Sequence, residues 1–284
     1  MSDCQPAPVR VAAFYRFAPI ADVQALAEDL RAQGRRDGLV GSVILAQEGV
    51  NGTIAGAPDA VDGLLDHLRA LPGCADLAPR VHQAERLPFA RWKVKVKPEI
   101  VTMGRDGIDA AHGAGIHVPP AQWNALIADP DTILIDARND YEVALGHFAG
   151  AIDPGTQGFG DFPAWFDAQA DEWRQEAEAR GRRPRIAMYC TGGIRCEKST
   201  AYARARGFDE VYHLEGGILA YLAEIEEEES LWRGECFLFD ERVSIAHGER
   251  TGAAALCPDC GQPYLVGSGQ DCGRCGGAGE PGGI

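Results

Sequence analysis

The segment Arg185-Ile-Ala-Met-Tyr-Cys190-Thr-Gly-Gly-Ile-Arg195-Cys196 decides the fold of this chain and points to its chemistry. Arg185 to Cys190 is a short, almost wholly apolar run, which reads as a strand covered on both faces. Gly192 and Gly193 follow at once, and a helical stretch runs from about Cys196 to Arg206. A buried strand passing through a glycine turn into a helix belongs to α/β architecture, and such strand ends are where α/β proteins place their sites. The glycines let the backbone N–H groups of Thr191, Gly192, Gly193 and Ile194 turn inward as an anion-binding nest. The helix N-terminus adds partial positive charge and Arg195 a full one. Together these lower a thiol pKa from roughly 8.5 toward the range where thiolate dominates. Cys190 is therefore a candidate nucleophile or sulfur carrier with Arg195 as its cation. The bland alternative, a buried cysteine at a strand end, does not call for the Gly-Gly-Ile-Arg sequel. Cys196, at the start of the helix, reads either as a resolving thiol for oxidised Cys190 or as a small helix N-cap residue.

Working outward, Thr132-Ile-Leu-Ile-Asp136 and Val211-Tyr-His-Leu214 are further short apolar strands between helices. They predict a parallel sheet with both faces covered, over residues 119–229. A Gly-rich, weakly patterned linker spans 105–118. Upstream, over 1–104, the order is different. Residues 9–16 read as a strand, Ile20, Val23, Leu26 and Leu30 as one helix face, and Leu39 to Ala46 as a second strand. Gly49-Val50-Asn51-Gly52 is turn chemistry. Val50 to Ala55 returns from it, and Val61, Leu64, Leu65 and Leu68 mark a second helix begun near Pro58. Val81 and Lys93 to Lys97 supply the last strand material. This β-α-β-β-α-β order is that of a ferredoxin-like domain. The expected fold class is α/β and α+β: a ferredoxin-like front domain, a parallel-sheet domain, and a small Cys-rich tail over 230–284.

Nine cysteines, an odd count in a chain without a recognisable signal peptide, argue against a disulfide framework. No apolar run approaches a membrane span, and Met-Ser-Asp-Cys-Gln-Pro at the N-terminus lacks a basic-then-apolar pattern. A cytoplasmic location follows. In the tail, Cys257-Pro-Asp-Cys260 and Cys272-Gly-Arg-Cys275 are two Cys-x₂-Cys knuckles, with Gly261, Gly273 and Gly276 permitting the tight turns. Four thiols at this spacing predict a closed, structural zinc site; free thiols are the alternative. A net charge of −15 disfavours bulk electrostatic binding of nucleic acid but leaves room for a local basic face. Lys93, Lys95 and Lys97 share one face at period two beside Arg91, with Trp92 adjacent. The row reads either as a solvated surface or as an RNA contact in which lysines take phosphates and the indole a base.

Cys190-Thr-Gly-Gly-Ile-Arg195 resembles the active-site loop of rhodanese domains. Leu134-Ile-Asp136-Ala-Arg138-Asn-Asp-Tyr141-Glu142 with Gly146-His147-Phe-Ala-Gly150, and Leu214-Glu-Gly216-Gly217-Ile218, are similar to the flanking rhodanese signatures. Gln47-Glu48-Gly49-Val50-Asn51-Gly52-Thr53, Lys95-Val-Lys97-Pro98-Glu99-Ile100-Val101 and the Cys-rich tail extend the likeness to the rhodanese-type tRNA uridine hydroxylases. The resemblance implies oxygen-dependent formation of 5-hydroxyuridine at the wobble position, with tRNA, held by its anticodon loop, as partner and Cys190 as the essential residue. Molecular oxygen would be the co-substrate. The residues themselves show no flavin or nicotinamide signature and no persuasive iron triad among seven histidines. Two other readings share the motif. One is a persulfide sulfurtransferase serving a small or protein acceptor; the other is a non-catalytic tRNA-binding protein, which would not need an intact Cys190 loop. Oligomeric state is not encoded in any of these features.

Overall fold

Alternation of inward and outward residues builds the first sheet of the computed structural model, which describes residues 9–266 together with Cys272 and Cys275. Cys4 and the knuckle glycines Gly273 and Gly276 lie outside the described residues. The chain divides into two compact units between Thr102 and Met103. In the first, β1 (Val9–Phe17), α1 (Val23–Arg36), β2 (Val40–Ala46), β3 (Gly49–Gly56), α2 (Pro58–Arg69) and β4 (Arg80–Ala84) complete the β-α-β-β-α-β order, and β5 (Trp92–Val96) adds a fifth strand. The sheet order is β4-β1-β3-β2-β5. β5 runs parallel to β2, and the other pairs are antiparallel. Asp22 caps α1 by accepting from the Ala25 N–H at 2.9 Å, and Pro58 opens α2. The faces expected to be apolar are buried: Leu26 and Leu30 of α1, and Val61, Leu64, Leu65 and Leu68 of α2. Each such side chain contributes roughly 1.5–3 kcal/mol of burial.

The hairpin turn falls two residues earlier than its glycines suggest. Ala46 pairs with Gly49, so Gln47 and Glu48 make the turn and Gly49 to Gly52 lie within β3. Gly49 is required by close approach: a Cβ there would stand 2.0 Å from the Arg16 carbonyl oxygen. Glu48 and Asn51 then grip a later segment. A Glu48 carboxylate oxygen accepts from the Ile100 N–H at 2.7 Å, and the Asn51 amide donates to the Ile100 carbonyl at 3.0 Å. Two of the sequence motifs shared with the resembled family are thus one structural clasp.

The second unit begins with α3 (Ala110–Gly113) and β6 (Ile116–Val118), followed by α4 (Pro120–Ile127), β7 (Thr132–Asp136), α5 (Asp140–Val143), β8 (Gly146–Phe148) and α6 (Phe162–Ala179). Then come β9 (Arg185–Tyr189), α7 (Ile194–Ala205), β10 (Glu210–Leu214) and α8 (Gly217–Glu224). The sheet order is β6-β10-β9-β7, all parallel, as the apolar runs predict. The segment read as a linker differs from that expectation: β6 is an edge strand of this sheet, too short to show a period in sequence. The same holds after residue 230. β11 (Trp232–Gly234) pairs with β8, and Trp232, Cys236, Leu238 and Ile245 join Trp123, Phe148, Tyr189 and Tyr221 in the core. β12 (Cys236–Phe237) and β13 (Ser244–Ile245) form a small ladder, and β14 (Ala254–Leu256) and β15 (Pro263–Leu265) form the hairpin that carries the first knuckle. Among the described residues no helix is long and apolar enough to cross a membrane.

Candidate active site

Cys190 follows directly on β9 and is fully buried. Gly193, at φ 98°, caps α7 in a left-handed conformation that an L side chain rarely adopts. This geometry turns the Gly193 N–H back to the Cys190 Sγ at 3.2 Å. Burial alone pushes the Cys190 thiol up. It is outweighed by the Cys196 S–H, the Arg195 charge and the N–H groups of Cys196 and Gly193, and the pKa falls to about 6. Burial and the neighbouring Cys190 anion push Cys196 well above its ordinary value. The pair is thus biased toward a Cys190 thiolate beside a Cys196 thiol. The observed cradle is smaller than the nest expected from the loop: Gly193 and Cys196 supply its amides, while Thr191, Gly192 and Ile194 shape it.

The loop is held from behind by α8. Ile218 and Leu219 donate their N–H groups to the carbonyls of Cys190 and Thr191 at 3.0 and 3.1 Å. Gly217, at φ 64°, allows this approach, since a Cβ there would lie 2.5 Å from both carbonyl oxygens. The signature Gly216-Gly217-Ile218 is thus a backbone clamp on the cysteine loop.

Arg195 is not a bare loop cation. Its guanidinium makes a bidentate ion pair with Glu142, at 2.6 and 2.9 Å, and also donates to the Thr191 hydroxyl at 3.0 Å. Glu142 is fully buried, and burial raises its pKa; the Arg195 charge and hydrogen bonds hold it below the usual carboxylate range. The Thr191 hydroxyl in turn donates to Glu142 at 3.2 Å. Glu142 is a site residue that the motif reading passed over. Its signal was Asn139-x-x-Glu142, a capping-box spacing, and its carboxylate does accept from the Asn139 N–H at 3.2 Å. Asp136 and Arg138 form a second buried pair, at 2.6 and 2.9 Å, with Arg138 also donating to the Gly146 carbonyl at 2.6 Å. They tie the end of β7 to β8. Lys198 is 3% exposed because α7 is covered on all sides from Arg195 to Ala203.

The tail brings Cys257, Cys260, Cys272 and Cys275 together, with all four sulfurs within 4.8 Å of one another. Cys257 and Cys275 stand 3.6 Å apart, and Cys260 and Cys272 3.4 Å. Four ligands at about 2.3 Å in a tetrahedron place sulfurs roughly 3.8 Å apart, so the set could hold a metal such as zinc. In the first unit, Arg91, Lys93, Lys95 and Lys97 are all exposed along β5, at the edge of its sheet. Trp92 is a correction. Its indole lies on the inner side with Val94, donating to the Leu30 carbonyl at 3.2 Å and packing where Gly34 leaves room on α1. Period two puts it on the opposite face from the lysines, partly buried against α1.

Two family models match the chain: a UPF0176 acylphosphatase like domain over residues 9–100 and a rhodanese-like domain over 119–224. Curated relatives match nearly the whole of it. A protein of Gluconobacter oxydans (strain 621H) is 56% identical over 256 residues, covering 90% of this chain and 80% of its own length. One from Caulobacter vibrioides (strain NA1000 / CB15N) is 54% identical over 261 residues, covering 90% and 81%. A third, from Mesorhizobium japonicum, is 52% identical over 259 residues, covering 91% and 81%. All three carry the name tRNA uridine(34) hydroxylase.

Proposed function

The chain belongs to the tRNA uridine(34) hydroxylase family, and from that premise we propose that it hydroxylates C5 of the wobble uridine of tRNA, with dioxygen as co-substrate and Cys190 as the reactive group. The observation that carries the reading is the geometry of the loop: a buried Cys190 whose Sγ meets the Gly193 N–H at 3.2 Å, beside Cys196 and Arg195, which lower its pKa, in a chain that matches the relatives over nine-tenths of its length. A thiol-to-thiolate balance of this kind serves reaction rather than packing, since an inert buried cysteine has its pKa raised. Cys236 of this chain is such a case, pushed up to about 12 by burial. Arg195 acts by position. Locked to Glu142 and Thr191, it fixes the loop and adds its charge to the field that favours the Cys190 anion.

The substrate surface in this reading is the edge of β5. Arg91, Lys93, Lys95 and Lys97 give a cationic row on an acidic protein, and Lys97 borders a concavity lined also by Gln24, Gln47 and Val96. Cations along a strand suit a phosphate backbone. The anticodon loop is the part of tRNA that carries the target. The four-cysteine group, filled with zinc, would fix the tail as a closed structural site without open coordination.

The test is incubation of the purified protein with tRNA lacking the modification, under isotopically heavy dioxygen, followed by nucleoside mass spectrometry. Heavy oxygen in hydroxylated uridine 34 is the expected result. Label absent from an otherwise formed product would remove dioxygen from the account. No product, together with sulfur transfer to cyanide, would favour the persulfide sulfurtransferase.

A further inference from the structure

One residue beyond Cys196, Glu197 joins two histidines from two strands, and three side chains from three elements converge at the edge of the second sheet. His117 of β6 and His213 of β10 occupy the same register of a parallel pair and so project from one face. Their ring centroids are 4.0 Å apart. α7 packs across β10 and brings Glu197 to them, with a carboxylate oxygen 3.0 Å from His117 Nε2. One potential ligand atom from each residue lies within 4.8 Å of the other two. His213 is 1% exposed, and neither of its ring nitrogens has a hydrogen-bond partner among the described residues.

A buried imidazole with both nitrogens unsatisfied is destabilising by roughly 1–3 kcal/mol for each polar group left so, and native interiors rarely retain one. Hydrogen bonding to Glu197 satisfies His117 but does nothing for His213. A coordinated cation would take one nitrogen of each ring and a carboxylate oxygen of Glu197, giving His213 a partner that no side chain supplies. Two imidazoles and one carboxylate on one side of an ion, with the remaining positions open, is the ligand set of borderline divalent transition metals, ferrous iron in particular. The His117 side chain is about half exposed, which leaves a path from solvent to the site. Bonds of roughly 2.0–2.2 Å require the three donors to draw together slightly, a movement the half-exposed His117 ring can supply.

We propose that His117, Glu197 and His213 bind one divalent transition-metal ion, separate from any ion on the four tail cysteines. The ligands lie far apart in sequence and share no local motif, so only the strand register and the helix crossing bring them together.

Co²⁺ is the probe, because its spectrum distinguishes donors. Full-length protein, first given zinc to fill the thiol site, is titrated anaerobically with Co²⁺ alongside His117→Ala and Glu197→Gln. The wild type should bind one equivalent more than either variant. The difference spectrum should show weak visible bands without the intense sulfur-to-metal absorption of thiolate ligands. Each variant should weaken this binding by at least the roughly tenfold to hundredfold that loss of a ligand's hydrogen-bonding neighbour produces. His117 is half exposed and Glu197→Gln is isosteric, so neither result depends on a misfolded core. Cys190→Ser should keep the extra equivalent. Equal stoichiometry and affinity in wild type and both variants, or a difference spectrum carrying thiolate absorption, would overturn the assignment.

Discussion

Removing the Cys196 thiol is the sharpest perturbation of the loop. With a pKa of about 6, Cys190 is roughly nine-tenths thiolate at pH 7, since one pH unit is a tenfold ratio. The Cys196 S–H is the strongest of the influences that lower it. A hydrogen bond to a charged group contributes about 1.5–3 kcal/mol, and about 1.4 kcal/mol corresponds to one pKa unit. Cys196→Ala should therefore raise Cys190 by about 1–2 units, to a pKa of roughly 7–8, leaving half or less as thiolate at pH 7. Thiolate forms as pH rises, so the loss of reactivity appears at neutral pH and vanishes in alkali. The assay is the rate of alkylation of Cys190 by a small reagent against pH, read by peptide mass spectrometry. Wild type should reach half its limiting rate near pH 6, and Cys196→Ala about 1–2 units higher. Cys196→Ser, which keeps a donor, should stay close to wild type. A Cys196→Ala profile superimposable on wild type would refute the claim that this thiol holds the anion.

Glu142→Gln leaves the Arg195 guanidinium buried without its counter-ion and should destabilise the second unit by about 3–5 kcal/mol in chemical denaturation. A change under about 1 kcal/mol would mean that the pair is not buried in solution. Gly217→Ala should lower the melting temperature and slow Cys190 alkylation, because its Cβ meets two loop carbonyls at 2.5 Å. Gly150→Ala, with φ 81° but open space around it, should show only the roughly 1–2 kcal/mol of the left-handed backbone. Metal analysis should find one equivalent of zinc that Cys272→Ser loses and Cys190→Ser keeps. Lys93→Ala with Lys95→Ala should reduce the salt dependence of tRNA binding, by a slope change of about 1.4–1.8 if both lysines meet phosphates. Trp92→Ala should instead act on stability, by about 3 kcal/mol measured by denaturation.

What the sequence made legible was whatever is local. The apolar runs at Thr132–Asp136, Arg185–Tyr189 and Val211–Leu214 announced a parallel sheet, and their pairing is parallel. The helix faces of Leu26, Leu30, Leu64 and Leu68 followed from spacing alone. Cys190 stood out because its chemistry is written in adjacent residues. Glu142, by contrast, reaches Arg195 across 53 positions, and no period links them. His117, Glu197 and His213 escaped notice for the same reason. The turn falls at Gln47–Glu48 rather than at the glycines because glycine answers to two needs, positive φ and close approach, and at Gly49 and Gly52 close contacts with β1 and β2 account for the choice. Strands of two or three residues, such as β6 and β12, are shorter than any periodicity that could reveal them.

The most direct measurement is nucleoside mass spectrometry of tRNA from cells that lack this protein and have no other route to the modification. The cells are complemented with either wild type or Cys190→Ser. The account predicts 5-hydroxyuridine or its derivatives with wild type and none with Cys190→Ser, both proteins being present at equal levels. Restoration by Cys190→Ser would contradict it, because the thiolate at the centre of the loop would then have no part in the reaction.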